Sequence, residues 1–161
     1  MGEATRRVHR MIIVSGAPVP RHQEMVFQGG KWPSLVLTTP SKQYQRRVAV
    51  ASCIETPRQL GAGGEPIEVV ARFFFEAGRR HQAGSWHAIA PDIDKCLRNL
   101  LDGLQRGPTG KPRPKRRPRS FAGKPMPWPG VIHDDARVAR CVIEAMWADV
   151  ARTEIEIREM D

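Results

Sequence analysis

Apolar residues recur along the chain at spacings that dictate local structure. Met11–Val14 is a short apolar run closed by Gly16, Pro18 and Pro20, and it predicts a strand. Gly29-Gly30 separates the Met25–Gln28 region from Leu35–Thr39, which predicts a loose hairpin. Pro40-Ser41 then marks a helix start, with the helix running from Ser41 to about Ile54. Tyr44, Val48 and Ala51 stand at i, i+4 and i+7 of that helix, with Lys42, Arg46 and Arg47 turned to solvent. After the loop Gly61-Ala62-Gly63-Gly64, the residues Ile67, Val69, Ala71, Phe73 and Phe75 alternate with a mixed second face, the mark of a central strand. Arg79 to His87 reads as a polar loop. Ile93, Leu97, Leu100, Leu101 and Leu104 then outline the clearest amphipathic helix of the chain. Val138–Met146 predicts a strand, and Ile155 and Ile157 between charged neighbours predict a final, edge-like one. The expectation is a mixed α/β (α+β) single domain over 1–161. Its mixed sheet is packed by about two helices, and an antiparallel pair of strands ends the chain.

Composition changes this picture in one respect. The 161 residues carry a net charge of +9. Eight basic residues and no acidic ones lie between Gln105 and Pro129, together with half of the 14 prolines. Proline at this density opposes helix and ladder formation, so 105–129 reads as a mobile basic insert. A surplus of this kind favours a polyanionic partner, nucleic acid before membrane surface. The insert is then a phosphate-contacting arm, or else a solvated linker that binds polyanions weakly. No apolar run reaches transmembrane length, and Met11–Val14 is too short for a secretory signal, so no membrane partner and a cytoplasmic location are expected. Cys53, Cys96 and Cys141 are far apart without any C-x-x-C, which argues against a zinc ribbon and a disulfide framework.

Two places hold carboxylates that packing does not require. In Pro91-Asp92-Ile93-Asp94-Lys95-Cys96-Leu97-Arg98, Asp92 sits at a helix mouth, Asp94 in its first turn and Arg98 one turn on. In Gly130-Val131-Ile132-His133-Asp134-Asp135-Ala136-Arg137-Val138, an acidic pair occupies a turn entering a strand. Taken singly these are ordinary: an N-cap, a dipole partner, an i, i+4 ion pair worth about 0.3–0.5 kcal/mol, and turn residues. Taken jointly, in a basic chain, they are the parts of a magnesium-dependent phosphodiesterase: hard oxygen ligands and a cation near the scissile phosphate.

At these residues the chain resembles the RusA family of Holliday junction resolvases, whose pattern runs P-D-[IL]-D-N-L-x-K-x-x-x-D-A-L and, after a variable stretch, D-D-[AS]-Q-[VI]. Leu97 and Leu100-Leu101-Asp102-Gly103-Leu104 continue the first motif here. The order of strands and helices also agrees, so the resemblance spans nearly the whole chain. It implies that Asp92, Asp94 and Asp135 are catalytic carboxylates holding magnesium, with manganese an allowed substitute. Arg98 stands where the family has its essential lysine, and Lys95 where the family has asparagine. The connection between the motifs is longer than usual.

The function expected is a homodimeric, structure-selective DNA endonuclease, of bacterial or prophage origin. It would resolve four-way junctions by symmetric nicking in recombination or repair, because a two-fold dimer presents two equivalent sites to paired strands. Arg98 would steady the scissile phosphate. Arg46, Arg47, Arg113, Lys115, Arg116, Arg117 and Arg119 would hold the DNA backbone without reading sequence. The competing class is a catalytically impaired member that binds branched DNA without cutting it.

Overall fold

The structure, a computed structural model, describes residues 11–26, 34–56, 59–61, 63–89, 91–107, 130–132 and 134–160. Apart from 105–107, the basic insert lies outside the described residues, and so do Gly29, Gly30 and His133. The chain runs β1 (Ile12–Ser15), β2 (Gln23–Val26), β3 (Ser34–Leu37), α1 (Thr39–Glu55), β4 (Ile67–Glu76), α2 (Ile93–Leu104), β5 (Val138–Ala148) and β6 (Arg152–Glu159). It forms the expected mixed α+β domain. One four-stranded mixed sheet has the order β1-β6-β4-β5, and β2 pairs with β3 in a separate antiparallel hairpin.

β4 is the centre of the sheet, as its apolar content requires. It runs parallel to β5 on one side and antiparallel to β6 on the other. Ile67, Val69, Ala71 and Phe73 are fully buried and face the helices, meeting Ile155 and Ile157 of β6 and Ile12 and Val14 of β1.

Two expectations for the chain end are corrected. β6 is not an edge strand, because it lies between β1 and β4; the edges are β1 and β5. Nor do β5 and β6 pair with each other, since both flank β4. The alternating charges of β6 suggested a solvated edge, but they are neutralised in place. Arg72 Nη1 of β4 donates to Glu156 Oε1 at 2.9 Å and Arg158 Nη2 donates to Glu156 Oε2 at 2.7 Å. On the neighbouring rows Arg72 Nε meets Glu144 at 2.8 Å, and Glu68 accepts both Arg140 and Arg158 at 3.1 Å. Paired charge can sit on an inner strand; unpaired charge could not.

Both helices pack on the opposite, apolar face and run side by side. α1 begins at Thr39 with Pro40 in its first turn, where a missing N–H costs nothing. Ser41 is therefore not its cap, as expected from sequence, but a buried residue. Its Oγ donates to Pro20 O at 3.1 Å and accepts from the His22 backbone at 3.0 Å, which ties the β1–β2 segment to α1. Tyr44 and Val48 are fully buried, and the Tyr44 hydroxyl meets Thr153 Oγ1 of β6 at 2.8 Å. Gly103 of α2 lets the helices touch: a Cβ there would lie 2.8 Å from Val48 Cβ and 3.1 Å from Gln45 O. Among the described residues no helix is long and apolar enough to cross a membrane.

Candidate functional site

Asp92 takes the N-cap position of α2 with extended backbone, as expected, but its side chain caps nothing. Its Oδ2 instead accepts from Lys95 Nζ at 2.6 Å. The ammonium beside it holds the Asp92 carboxyl below its ordinary range, and Asp92 in turn raises the lysine. Asp94, in the first turn, and Arg98, one turn on, are exposed. They do not form the expected i, i+4 ion pair, and neither makes a hydrogen bond or ion pair with a described residue. Cys96 turns the other way, into the core, where burial and then the two aspartates push its thiol up to about 12. Such a thiol is inert packing.

The second motif reaches the same helix at its other end. Ile132 N donates to Leu104 O at 3.2 Å, and a Cβ on Gly130 would collide with Leu104 O and the Gln105 backbone. Asp134 and Asp135 then enter a single 3-10 turn, Asp135–Arg137, where Asp134 accepts from Ala136 N at 3.0 Å. Asp134 beside it, and then partial burial, hold the Asp135 carboxyl above its ordinary range, with the charge of Asp102 contributing in the same direction. Asp92 and Asp94 stand at the opposite end of a 12-residue helix, about 18 Å long at 1.5 Å per residue. Asp92, Asp94 and Asp135 are thus distributed along α2 rather than gathered. Among the described residues, no three His, Cys, Asp or Glu side chains are grouped to hold a metal ion.

Between the two ends lies a polar strap that sequence reasoning did not assign. Gln45 of α1, fully buried, donates from Nε2 to Asn99 Oδ1 at 2.8 Å and to Asp102 Oδ2 at 3.2 Å. Asn99, also fully buried, donates to Val19 O at 2.8 Å. Arg21 places Nε 3.2 Å from Asp102 Oδ2, and its backbone N–H donates to Lys95 O at 3.0 Å. The segment after β1 is thereby bolted along α2, which fixes the helix that presents Asp92, Asp94 and Arg98. The one signal in the sequence was the appearance of Asn99 and Asp102 in a run of leucines; their partners on α1 and after β1 could not be read locally.

Of the basic residues expected to hold DNA, Arg46 and Arg47 are exposed on α1. Arg47 is engaged, donating to Ser15 O at 2.9 Å and Ala17 O at 3.2 Å, and so serves the β1 terminus. Arg113, Lys115, Arg116, Arg117 and Arg119 lie outside the described residues. His87, expected in a polar loop, is instead buried and stacked on Phe75 with ring centroids 4.0 Å apart. Burial, and then the charge of His81, lower its pKa. No protein-family model matches the chain, and no curated protein sequence does.

Proposed function

We propose that the chain is a magnesium-dependent, structure-selective DNA endonuclease that resolves four-way junctions as a homodimer, acting in recombination or repair. The observation that carries this reading is the state of Asp94 and Arg98. They are a carboxylate and a guanidinium one turn apart, exposed and without a hydrogen bond or ion pair to any described residue, on a helix held from behind by the Gln45–Asn99–Asp102 strap. Such groups can take a ligand without giving up a bond to any described residue. Asp92 and Asp94, together at the start of α2, offer hard oxygen donors of the kind a divalent cation takes, whereas Asp135, at the far end of α2, does not join them. Magnesium, when bound, supplies an activated water and offsets charge on the phosphate. Arg98 would hold a phosphate oxygen with its planar fork. Arg46 and the basic segment 111–119 would collect the DNA backbone.

A second reading has its own observation. Lys95 Nζ occupies Asp92 at 2.6 Å, so a cation must displace an ammonium to use that carboxylate. A chain in this state would bind branched DNA without cutting it. One experiment separates the readings: nicking of a synthetic junction and of a linear duplex, with and without magnesium, by the parent, Asp94→Asn and Lys95→Asn. The nuclease reading expects symmetric nicks from the parent, none from Asp94→Asn, and junction binding in EDTA retained by both. Cutting by Lys95→Asn alone would select the second reading. A parent that binds junction no better than duplex would retire both.

A further inference from the structure

We propose that the open edge of β1 and the adjoining flank of α1 form a docking groove for an extended peptide of another protein, one that alternates acidic and apolar residues. The backbone defines the edge. Gly16 N donates to Ala151 O at 3.2 Å, toward β6, so the carbonyl of the same trans peptide group, Ser15 O, points away from β6. Arg47 Nη1 meets that carbonyl at 2.9 Å. In an antiparallel ladder the N–H and C=O of one residue point to the same side, and the side alternates along the strand. The polar backbone groups of Ile12 and Val14 are therefore turned to β6, and those of Ile13 and Ser15 to the open edge. The N–H and C=O of Ile13 and the N–H of Ser15 face outward without a partner among the described residues. Beside the edge, α1 supplies the second wall. Arg46, Val50 and Ile54 stand one turn apart and exposed, Ile54 by 71%. With Ile13, itself 54% exposed, they bound a groove of about 400 Å³. Arg47 lies across its Ser15 end against Gly16, where a Cβ would collide with the guanidinium.

The groove specifies its occupant by three features. An unpaired strand edge beside a helix takes extended backbone, which adds one more strand to the sheet. Exposed apolar side chains on both walls take every second residue of that strand. Arg46 and Arg47 take a carboxylate, because among the described residues no acid lines the groove. Arg46 has no hydrogen bond or ion pair with a described residue, and Glu154, opposite Ile13 on β6, is paired with Arg152 at 2.7 Å. The complementary acid must therefore come from the partner. A DNA backbone passing over Arg46 would leave Ile13, Val50 and Ile54 uncovered, whereas a peptide strand uses all four. A second β1 edge, Ile-Ile-Val-Ser, brings no acid to the arginines.

The groove goes beyond the nuclease reading and is tested without DNA cleavage. A labelled, end-blocked octapeptide alternating glutamate and valine is titrated with the full chain, and its fluorescence anisotropy is followed. The parent should bind it saturably, with a Kd below about 100 μM. An isomer of the same composition with its glutamates in one block should bind at least about 10-fold more weakly. The alternating peptide N-methylated throughout, which cannot complete a ladder, should lose at least about as much. The uncharged variants Val50→Gln and Arg46→Gln should each weaken the alternating peptide at least about 5-fold. Leu35→Gln, at an exposed apolar site on β3, should leave it unchanged. A parent that does not bind would overturn the proposal, and so would groove variants that bind like the parent. Equal binding of the block isomer would overturn it too, and assign the peptide to the basic segment 105–129. Displacement of the peptide by a four-way junction, with junction binding itself weakened by Val50→Gln, would assign the groove to nucleic acid instead. A dimer in sedimentation that Val50→Gln dissociates would assign it to a second copy. A chain that binds the alternating peptide and cuts no DNA would retire the nuclease reading and leave this groove standing.

Discussion

Arg98 and Asp135 show how little of a side chain's environment is local. Arg98 stands one turn beyond Asp94, yet the two do not pair, and among the described residues its guanidinium has no partner. Arg98→Lys should keep junction cleavage near or above the parent rate, whereas Arg98→Ala should lose cleavage far more than binding. Equal rates for Arg98→Ala and parent would reduce Arg98 to a solvated surface residue. Asp135 is held above its ordinary range chiefly by Asp134. A carboxyl raised in this way keeps its proton more tightly folded than unfolded, so its effect vanishes at low pH and stability is lost as pH rises through the raised value. Asp134→Asn keeps an acceptor for the Ala136 N–H and removes the repulsion. Its melting temperature should exceed the parent's at about pH 7, and the gap should close at about pH 3, below the carboxylate range. A gap independent of pH would mean that the two carboxyls do not interact. The carboxylates of both motifs were legible as candidates from residue type and spacing. The Lys95–Asp92 contact was legible only as a possibility, because an i, i+3 pair on an exposed turn forms or not according to its surroundings.

α2 and β4 are the elements whose patterns left least to chance. Ile93–Leu104 spans the leucine periodicity, and Ile67–Glu76 spans the alternation. The close approach of the two helices depends on Gly103, a residue that helix propensity disfavours. Gly103→Ala should raise that propensity and still cost about 1–3 kcal/mol, because the methyl meets Val48 and the Gln45 carbonyl. Urea denaturation reads the loss; a stability equal to or above the parent's would show slack between α1 and α2. The start of α1 and the placement of β6 were read less well from sequence. Pro40 marks the start, but it lies inside the first turn rather than before it, and Ser41 looks like a cap until its bond to the Pro20 carbonyl is known. β6 alternates charge in the manner of an edge strand, and only the arginines and glutamates arriving from β4 and β5 permit it an inner position.

Across the whole molecule, charge is unevenly placed: arginines and glutamates pair across β4, β5 and β6, and the basic surplus is concentrated in the sequence between Gln105 and Pro129. Deleting residues 111–119 removes six basic residues. If they engage phosphates, the log–log salt slope of junction binding, measured in EDTA, should flatten by roughly 2–4. An unchanged slope would show that the segment does not touch DNA. The sequence alone determined the mixed α+β class, nearly every element and both acidic motifs, because periodicity and local chemistry are properties of neighbours along the chain. It could not determine strand order, the strap that fixes α2, or the distance between the motifs. Those depend on residues that meet only on folding: Gln45 with Asn99 and Asp102, Arg21 with Asp102, Ile132 with Leu104. Tertiary structure set Asp92 and Asp94 at one end of α2 and brought Asp135 in at the other. A helix holds its ends a fixed length apart, whatever motifs they carry.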